Sequence, residues 1–584
     1  MKKATKKEHF NDLLLPVILV LGVLPFVVYM AEYDNGYSKY DWHSDQGLMQ
    51  DFYTYYRAIF FIIITFFAVV VLAFWLGLYR EQVKNSKIFI PLAVYGVCAV
   101  VSAIASKHPK EAWLGNFVDC EGTFVLLGYA VIGFYTYQML RSERDYRTIL
   151  RAVLVMFIPM SVVGWFQVFQ NDLLNYEWVQ KLVMSDALYA EYGGAVEDVF
   201  SGNNVFLTLY NPNFAAIFLV MFASVFAVFL LESGSRKERI VYGVFLADAL
   251  ILCWFTYTRA ALVALLVVAV VLCVCLMGQT QEENRRKLRG IIIGCVGFFA
   301  VLLIVDAVCG GKYIGRLIDE PKEQRLESIV TTADGVEITY EGVKYLVSMK
   351  TDGQTDAICV RDESGEEIAL ARLNDGDYLL PFSEDGRADV ILWEEKPQMI
   401  LFIDGMTLQF EQRAAGYYYY AEWGKCVSME EIPHVDMGGL EYLGSGRVYI
   451  WSRILPMLPK YLLLGSGPDT FAEVYPQNDY VGKMIYAEYA GRIIERAHND
   501  FLMRWVQTGF VSVTALLVFY VFFLKKSFMY YRGCALESVK DKLGFGCFLG
   551  CVGYLVCCFF SDSTLYTTPI FYVFVGIALS AEGK

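Results

Sequence analysis

Residues 56–78 read YRAIFFIIITFFAVVVLAFWLGL, a run of 23 positions that at 1.5 Å per residue is long enough to cross a ~30 Å hydrocarbon core as a helix. Eleven more runs of this kind lie at roughly 13–31, 88–105, 123–140, 148–169, 213–231, 240–256, 260–278, 289–308, 501–524, 543–560 and 563–581. Together they predict an all-α polytopic membrane protein with about 12 transmembrane helices. Composition agrees: 56% of the 584 residues are hydrophobic and 19% charged, with a mean hydropathy of +0.41, whereas a soluble domain carries nearer a quarter charged residues. A soluble cytosolic enzyme is excluded. The first run is too long for a signal-peptide core and has no small-residue cleavage site after it, so it is expected to stay as a helix.

Basic residues recur in alternate connections, at Lys2–Lys7, Arg80–Lys87, Arg141–Arg151, Arg236–Arg239, Arg285–Arg289 and Lys525–Lys542. The positive-inside rule makes that side cytoplasmic, with both termini there and the long stretch after residue 308 outside. Charge separates the two parts. Residues 319–446 hold 27 acidic and 10 basic residues, a net −17 against −13 for the whole chain, which leaves +4 elsewhere. An acidic outer region argues against nucleic acid as a partner.

The chain therefore divides into transmembrane helices 1–9 (1–308), an acidic, mainly β extracytoplasmic insert (309–440), an extracytoplasmic loop with a helix and a notable histidine (441–500), and transmembrane helices 10–12 (501–584). Within the insert, VEITY (336–340), KYLVSMK (344–350), AICVRD (357–362), EIALARL (367–373), ADVILWEE (388–395), MILFI (399–403) and MTLQF (406–410) alternate with Gly and Asp, which predicts a small sandwich or barrel. Asp404-Gly405 between two apolar runs is a two-residue hairpin signal. Four tyrosines at 417–420 fit either one wet and one buried strand face or a sugar platform. Most cysteines fall inside apolar runs as small core residues; Cys359 and Cys426 lie in the insert, where one disulfide is conceivable, and no metal-ligand spacing is present.

Four clusters carry polar groups with chemical use. Thr256-Tyr257-Thr258-Arg259-Ala260 puts Arg259 at a membrane boundary, where a guanidinium fork matches phosphate oxygens or simply anchors in the headgroups. Arg447-Val448-Tyr449-Ile450-Trp451, followed by Leu464-Gly465-Ser466-Gly467-Pro468-Asp469-Thr470-Phe471, reads as an amphipathic helix closed by a glycine turn, on which Arg447 and Arg453 also fit a solvating role. His498-Asn499-Asp500 opens a membrane helix, with Gln507, Thr508 and Gly509 beyond it; an imidazole exchanges a proton near neutral pH, the property a general base needs, and a helix cap is the plain alternative. Tyr210-Asn211-Pro212-Asn213 turns the chain into a helix that Asn213 is placed to cap.

In this order the clusters resemble the O-antigen ligase and polysaccharide polymerase superfamily of integral membrane glycosyltransferases, over about 110–580 without the insert. The shared elements are Asn211-Pro212-Asn213, Thr256 to Ala260, Arg447 to Trp451 with Leu464 to Phe471, and Ala497-His498-Asn499 with Gly509. Two departures stand out: Ser512 occupies a position where the family often has a second glycine, and Asp119, in Gly115-Asn116-Phe117-Val118-Asp119-Cys120-Glu121-Gly122, stands where the family's loop has an arginine.

The resemblance implies a GT-C-like membrane glycosyltransferase that moves or polymerises a glycan from a polyprenyl-diphosphate donor onto a glycan or lipid-glycan acceptor hydroxyl at the outer face of the cytoplasmic membrane, with inversion and without metal or other cofactor. His498 is then the base, Arg259 and Arg447 neutralise the leaving diphosphate, Asn499 or Asp500 fixes the histidine tautomer, and Asn213, Trp451, Asp562 and Glu121 are substrate-binding candidates. Ligase, polymerase and protein O-oligosaccharyltransferase share these motifs. Hydrolase, zinc-enzyme and ATPase motifs are missing. A transporter or flippase of lipid-linked oligosaccharide is the competing reading, for which Asp248 is the clearest mid-helix carboxylate, an interhelical hydrogen bond being its plain alternative. A sensor whose β domain binds ligand is a third.

Overall fold

The computed structural model describes residues 12–196, 204–277, 282–308, 325–351, 356–374, 377–383, 386–393 and 396–582. The basic segment 2–7 and the first residues of the insert, 309–324, lie outside the described residues. Helices α1 (Leu15–Gly22), α2 (Tyr55–Leu78), α3 (Ile90–Ile104), α4 (Pro109–Leu114), α5 (Thr123–Met139), α6 (Glu143–Val168), α7 (Glu177–Val183), α8 (Asp186–Tyr192), α9 (Pro212–Leu231), α10 (Arg236–Trp254), α11 (Arg259–Met277) and α12 (Glu282–Val308) precede the insert. After it come α13 (Leu443–Ile454), α14 (Phe471–Val474), α15 (Tyr480–Tyr486), α16 (Asp500–Thr508), α17 (Phe510–Tyr531), α18 (Val539–Cys558) and α19 (Thr568–Ala581).

Among the described residues seven helices are long and apolar enough to cross a membrane: α2, α3 with the turn before it, α6, α9, α11, α17 and α18. The other apolar runs are helical too, but α1 and α19 are short and α10 and α12 start in charged turns. The run predicted at 501–524 is two helices, because Gly509 sits at φ +91° and a Cβ there would stand 2.8 Å from the Leu463 carbonyl oxygen. Burial separates centre from rim: 83% of the apolar stretch of α9 and 72% of that of α18 is buried, against 28% for α2. The rim of α2 shows Ile63, Phe66, Phe74 and Leu78, a surface suited to hydrocarbon rather than water.

Basic connections gather at one end of this body. Lys84 Nζ donates to the carbonyls of Tyr137 and Leu140, Arg141 donates to Gln82 O, Lys542 Nζ donates to Glu232 O, and the Glu143 carboxylate accepts from the Val539 and Lys540 amides. Cations at helix C-termini and a carboxylate at an N-terminus complement the orphan groups there. Mid-body, Asp248 of α10 accepts from Trp165 Nε1 of α6 at 2.6 Å and from Ser161, which is the interhelical hydrogen bond of its plain reading.

The β-rich region is a two-sheet sandwich. A short hairpin near the amino end, β1 (Ala31–Asp34) with β2 (Leu48–Asp51), stands apart from it. Then β3 (Leu326–Thr331), β4 (Val336–Tyr340), β5 (Val343–Thr351), β6 (Asp356–Arg361) and β7 (Glu367–Ile368) form one antiparallel meander. The other sheet holds β8 (Ala371–Asn374), β9 (Asp377–Leu379), β10 (Arg387–Trp393), β11 (Lys396–Ile403), β12 (Met406–Arg413), β13 (Gly416–Tyr420) and β14 (Cys426–Val427). Inward residues of both sheets, among them Ile338, Val347, Leu401 and Phe410, share one core. Asp404 and Gly405 both have positive φ and join β11 to β12, as the hairpin signal predicts. Tyr417 and Tyr419 are buried while Tyr418 and Tyr420 face outward, so the four tyrosines are one wet and one dry strand face. Cys359 and Cys426 form no disulfide and lie in different sheets.

The sandwich is tied to the chain between β1 and β2. Lys425 Nζ donates to the carbonyls of Ser38 and Tyr40 and pairs with Asp45 at 3.0 Å, and Trp423 Nε1 donates to the Asp41 carbonyl at 2.8 Å.

Candidate active site

All four motif clusters meet at the end of the helical body opposite the basic connections. The α9 start is shaped by Asn211, whose side chain accepts from the Asn213 amide, so Asn211 is the cap in place of Asn213. This leaves the side-chain oxygen Oδ1 of Asn213 to accept from Thr258 Oγ1 at 3.2 Å, which ties the Asn-Pro-Asn turn to the turn that delivers Arg259. Arg447 follows Gly444-Ser445-Gly446, all three left-handed (φ 66°, 60° and 79°). Trp451, one helical turn on, donates its indole N–H to the Ala497 carbonyl at 2.8 Å and so fixes the backbone just before His498. Its polar handle is spent on positioning rather than on a substrate.

The glycine turn is explained by backbone against backbone. A Cβ on Gly465 would stand 2.0 Å from the Gln507 carbonyl carbon and oxygen and 2.2 Å from the Thr508 nitrogen. Asp469, two residues past Gly467, accepts from the amides of Asn116 (2.7 Å) and Glu121 (2.8 Å) and locks the loop 115–122 in place. Burial, with Asp119 and Glu121 adding repulsion, pushes its carboxyl well above the ordinary range. Eleven described non-glycine residues have positive φ, and five of them, Cys120, Tyr210, Tyr257, Asp469 and His498, fall in the four clusters or the loop 115–122 singled out by sequence, while Ser445 stands two residues before Arg447. Costly backbone concentrated this way marks segments whose shape matters more than local stability.

At the centre, His498 Nδ1 lies 3.2 Å from Asp562 Oδ2, within ion-pair range though off the line of a full hydrogen bond. The histidine is 38% exposed and the aspartate 4%. Burial alone would raise the Asp562 carboxyl, but His498, Arg496 and Arg447 hold it below its ordinary value, so it stays ionised. Burial, reinforced by the cation of Arg259, lowers Arg447, while Asp562 opposes the shift. The geometry therefore sets two arginines and a histidine around one buried carboxylate.

Asn499 and Asp500, expected to steer the tautomer, do other work. Asn499 caps α16 by accepting from the Leu502 amide and donates to the Phe559 carbonyl; Asp500 pairs with Arg504 at 3.2 Å and accepts from Ser563 Oγ at 2.6 Å. Glu121 is buried, bonded to Tyr129 and paired with Arg504 at 2.7 Å, away from His498 in the network. Burial, with Asp119 adding repulsion, pushes its carboxyl up to about 7.

Arg496, missed in the sequence, is nearly fully buried, paired with Asp119, and set over the Phe214 ring at 5.0 Å. Its adjacency to Ala497-His498 was the available signal. Asp119, in a position where the resembled family has arginine, thus neutralises an arginine arriving from another segment. Both Arg496 and His498 line a cleft of about 830 Å³ that runs from Tyr210 and Gly446 to Trp42, in the connection between β1 and β2, and Trp423 of the docked sandwich. Glu495 is half-buried in the same wall, and burial with Asp119 repulsion pushes its carboxyl up to about 7. Compared with family models, curated proteins and solved structures, the chain has no match.

Proposed function

We propose that this protein is a membrane glycosyltransferase that transfers or polymerises a glycan from a polyprenyl-diphosphate donor onto an acceptor hydroxyl at the outer face of the cytoplasmic membrane. The observation that carries the reading is the His498–Asp562 pair, with Arg447 acting on Asp562 and Arg259 acting on Arg447, and with His498 lining a cleft at the end of an apolar helical body. The basic connections at the opposite end support a cytoplasmic placement of that end, and the twelve apolar runs support up to twelve crossings in place of the seven that meet length and composition alone.

In this mechanism Nδ1–H of His498 faces the Asp562 carboxylate, which leaves Nε2 to accept the proton of the attacking hydroxyl. The acceptor oxygen forms a bond to the anomeric carbon from the face opposite the diphosphate, the carbon–oxygen bond to the diphosphate breaks, and the diphosphate leaves with the electron pair. Configuration at that carbon inverts. Arg447 and Arg259 stabilise the charge that builds on the departing phosphate by fork-like hydrogen bonds in a partly dry site. Asn213, through Thr258, holds the turn that aims Arg259. The proton of His498 is returned to water or to the released diphosphate.

The test uses purified protein in nanodiscs with a polyprenyl-diphosphate oligosaccharide and a glycan acceptor, divalent metal chelated throughout. Acceptor-dependent release of polyprenyl diphosphate that falls by orders of magnitude in His498→Ala and in Arg259→Ala is the expected result. Wild-type release in both variants overturns the assignment, and release abolished by chelation overturns its metal independence.

A further inference from the structure

The cleft beside His498 is longer than proton transfer needs, and its far end is built by two segments with no part in that chemistry. Trp42 comes from the connection between β1 and β2, and Trp423 from the sandwich; both are half-exposed and both line the cleft. Each ring is held in place. Trp42 stacks on Tyr40 with centroids 4.7 Å apart and planes 12° apart. Trp423 is held by its N–H bond to the Asp41 carbonyl and packs on Tyr480 at 5.6 Å. The chain passes close to Trp423 at Gly491, where a Cβ would stand 3.1 Å from the indole, a contact that a larger residue makes only if the ring gives way by a few tenths of an ångström.

We propose that Trp42 and Trp423 form a saccharide-binding subsite in this cleft, which holds the sugar units that lie beyond the reacting hydroxyl or anomeric carbon. The inference rests on the transferase reading above and names the substrate-binding surface of the same site. Aromatic faces carry negative charge density and meet the C–H face of a pyranose, while its hydroxyls point sideways to polar partners. Those partners are present on the rim as Glu422, Glu488 and Arg492, the last two paired at 2.9 Å and in water. Fixed rings reduce the ordering cost of binding. A cleft of about 830 Å³ is in the range that encloses a ligand of several rings. Docking of the sandwich alone does not require the tryptophans to face a cleft, since Lys425 already fastens the two segments through three contacts.

The ligand chemistry is a saccharide chain, which comes either from the acceptor or from the distal units of the donor. The probe is the oligosaccharide released by mild acid from the cell's own polyprenyl-diphosphate pool, titrated into full-length His498→Ala protein in nanodiscs and read by calorimetry. Saturable binding, weakened tenfold or more by Trp423→Ala and by Trp42→Ala but little by Trp423→Phe, is the expected result. Trp423→Phe keeps the stacking face and loses the N–H bond to Asp41, so it separates sugar stacking from docking.

Binding equal to His498→Ala in both alanine variants overturns the proposal, as does no binding of either the free or the carrier-linked oligosaccharide. Binding of the carrier-linked form alone, with the same sensitivity to the alanine variants, assigns the subsite to donor sugars; binding of the free form assigns it to the acceptor. In the active protein, Trp423→Ala should raise at least tenfold the KM of the oligosaccharide that occupies the subsite, donor or acceptor, and leave kcat within threefold, a split that loss of folding does not produce. Since binding is measured without catalysis, a protein that binds saccharide but releases no polyprenyl diphosphate would overturn the transferase reading and leave the subsite standing.

Discussion

Asp562 is buried, ionised and without a full hydrogen bond among the described residues, a costly state for a carboxylate unless positive groups surround it. His498, Arg447 and Arg496 supply them, and under the proposed function removing the charge acts on catalysis. Asp562→Asn should reduce turnover about 10²- to 10⁴-fold, the range of a displaced acid–base pair, while the purified protein keeps its melting temperature within a few degrees. A wild-type rate would mean that the group facing Nδ1 is immaterial. Glu495 gives a second expectation at this scale. With its carboxyl pushed up to about 7, it is neutral below that pH and anionic above it, and it lines the cleft. The KM for the anionic donor of the proposed transfer should rise between about pH 6 and pH 8, and Glu495→Gln should flatten the rise. The sequence pointed to His498 and both arginines through local motifs, yet it assigned the histidine's support to its neighbours Asn499 and Asp500. Proximity in the chain misled, because helix capping uses the residues next to His498 and the supporting carboxylate arrives from the turn before α19.

Among elements, α16 shows how little room the site has. It is short, it buries Asp500, Arg504 and Gln507 on one side, and the glycine turn rests directly on its last carbonyls. Gly465→Ala should cost about 3 kcal/mol or more, because the atoms in the way are backbone and no side chain can swing aside; thermal unfolding in detergent, or loss of the folded peak in size exclusion, measures it. Gly509→Ala should cost about 1–3 kcal/mol from its positive φ with extended ψ (91°, 160°), a region that is essentially glycine-only, before any clash is counted. Trp451→Phe removes the bond to the Ala497 carbonyl and some packing volume, so about 1–3 kcal/mol of local support for His498 should disappear. Turnover is expected to fall more than stability. Hydropathy could not reveal the break at Gly509, since an amphipathic helix followed by an apolar one sums to a single apolar run. Alternation in the insert was legible for the converse reason: a period of two with Asp-Gly at the turn specifies both face and register, and β11–β12 follow it residue for residue.

For the molecule as a whole, composition identified the apolar body and charge counting separated the insert from it, because both are sums that do not depend on packing. Packing decides what sums cannot: α9 and α18 are interior, α2 is a rim helix, and α1 ends at Gly22 because Pro25 follows and β1 begins at Ala31. The proposed topology makes a direct prediction. Epitope tags placed at Gly234, in the basic connection before α10, and at Gly365, in the β6–β7 turn, should be reached by antibody from opposite faces of sealed vesicles of known orientation. Access from the same face would refute the side assignment.

The fastening of the sandwich carries an evolutionary consequence. Lys425 and Trp423 bond mainly to main-chain carbonyls, those of Ser38, Tyr40 and Asp41, which any amino acid presents. One partner in the joint is therefore read by shape and the other by identity. In descendants of this sequence, positions 38 and 41 are free to drift so long as the chain follows the same path, whereas positions 423 and 425 are not. A saturation library scored for surface display of the folded protein should show that asymmetry as tolerance on one side of the joint and intolerance on the other.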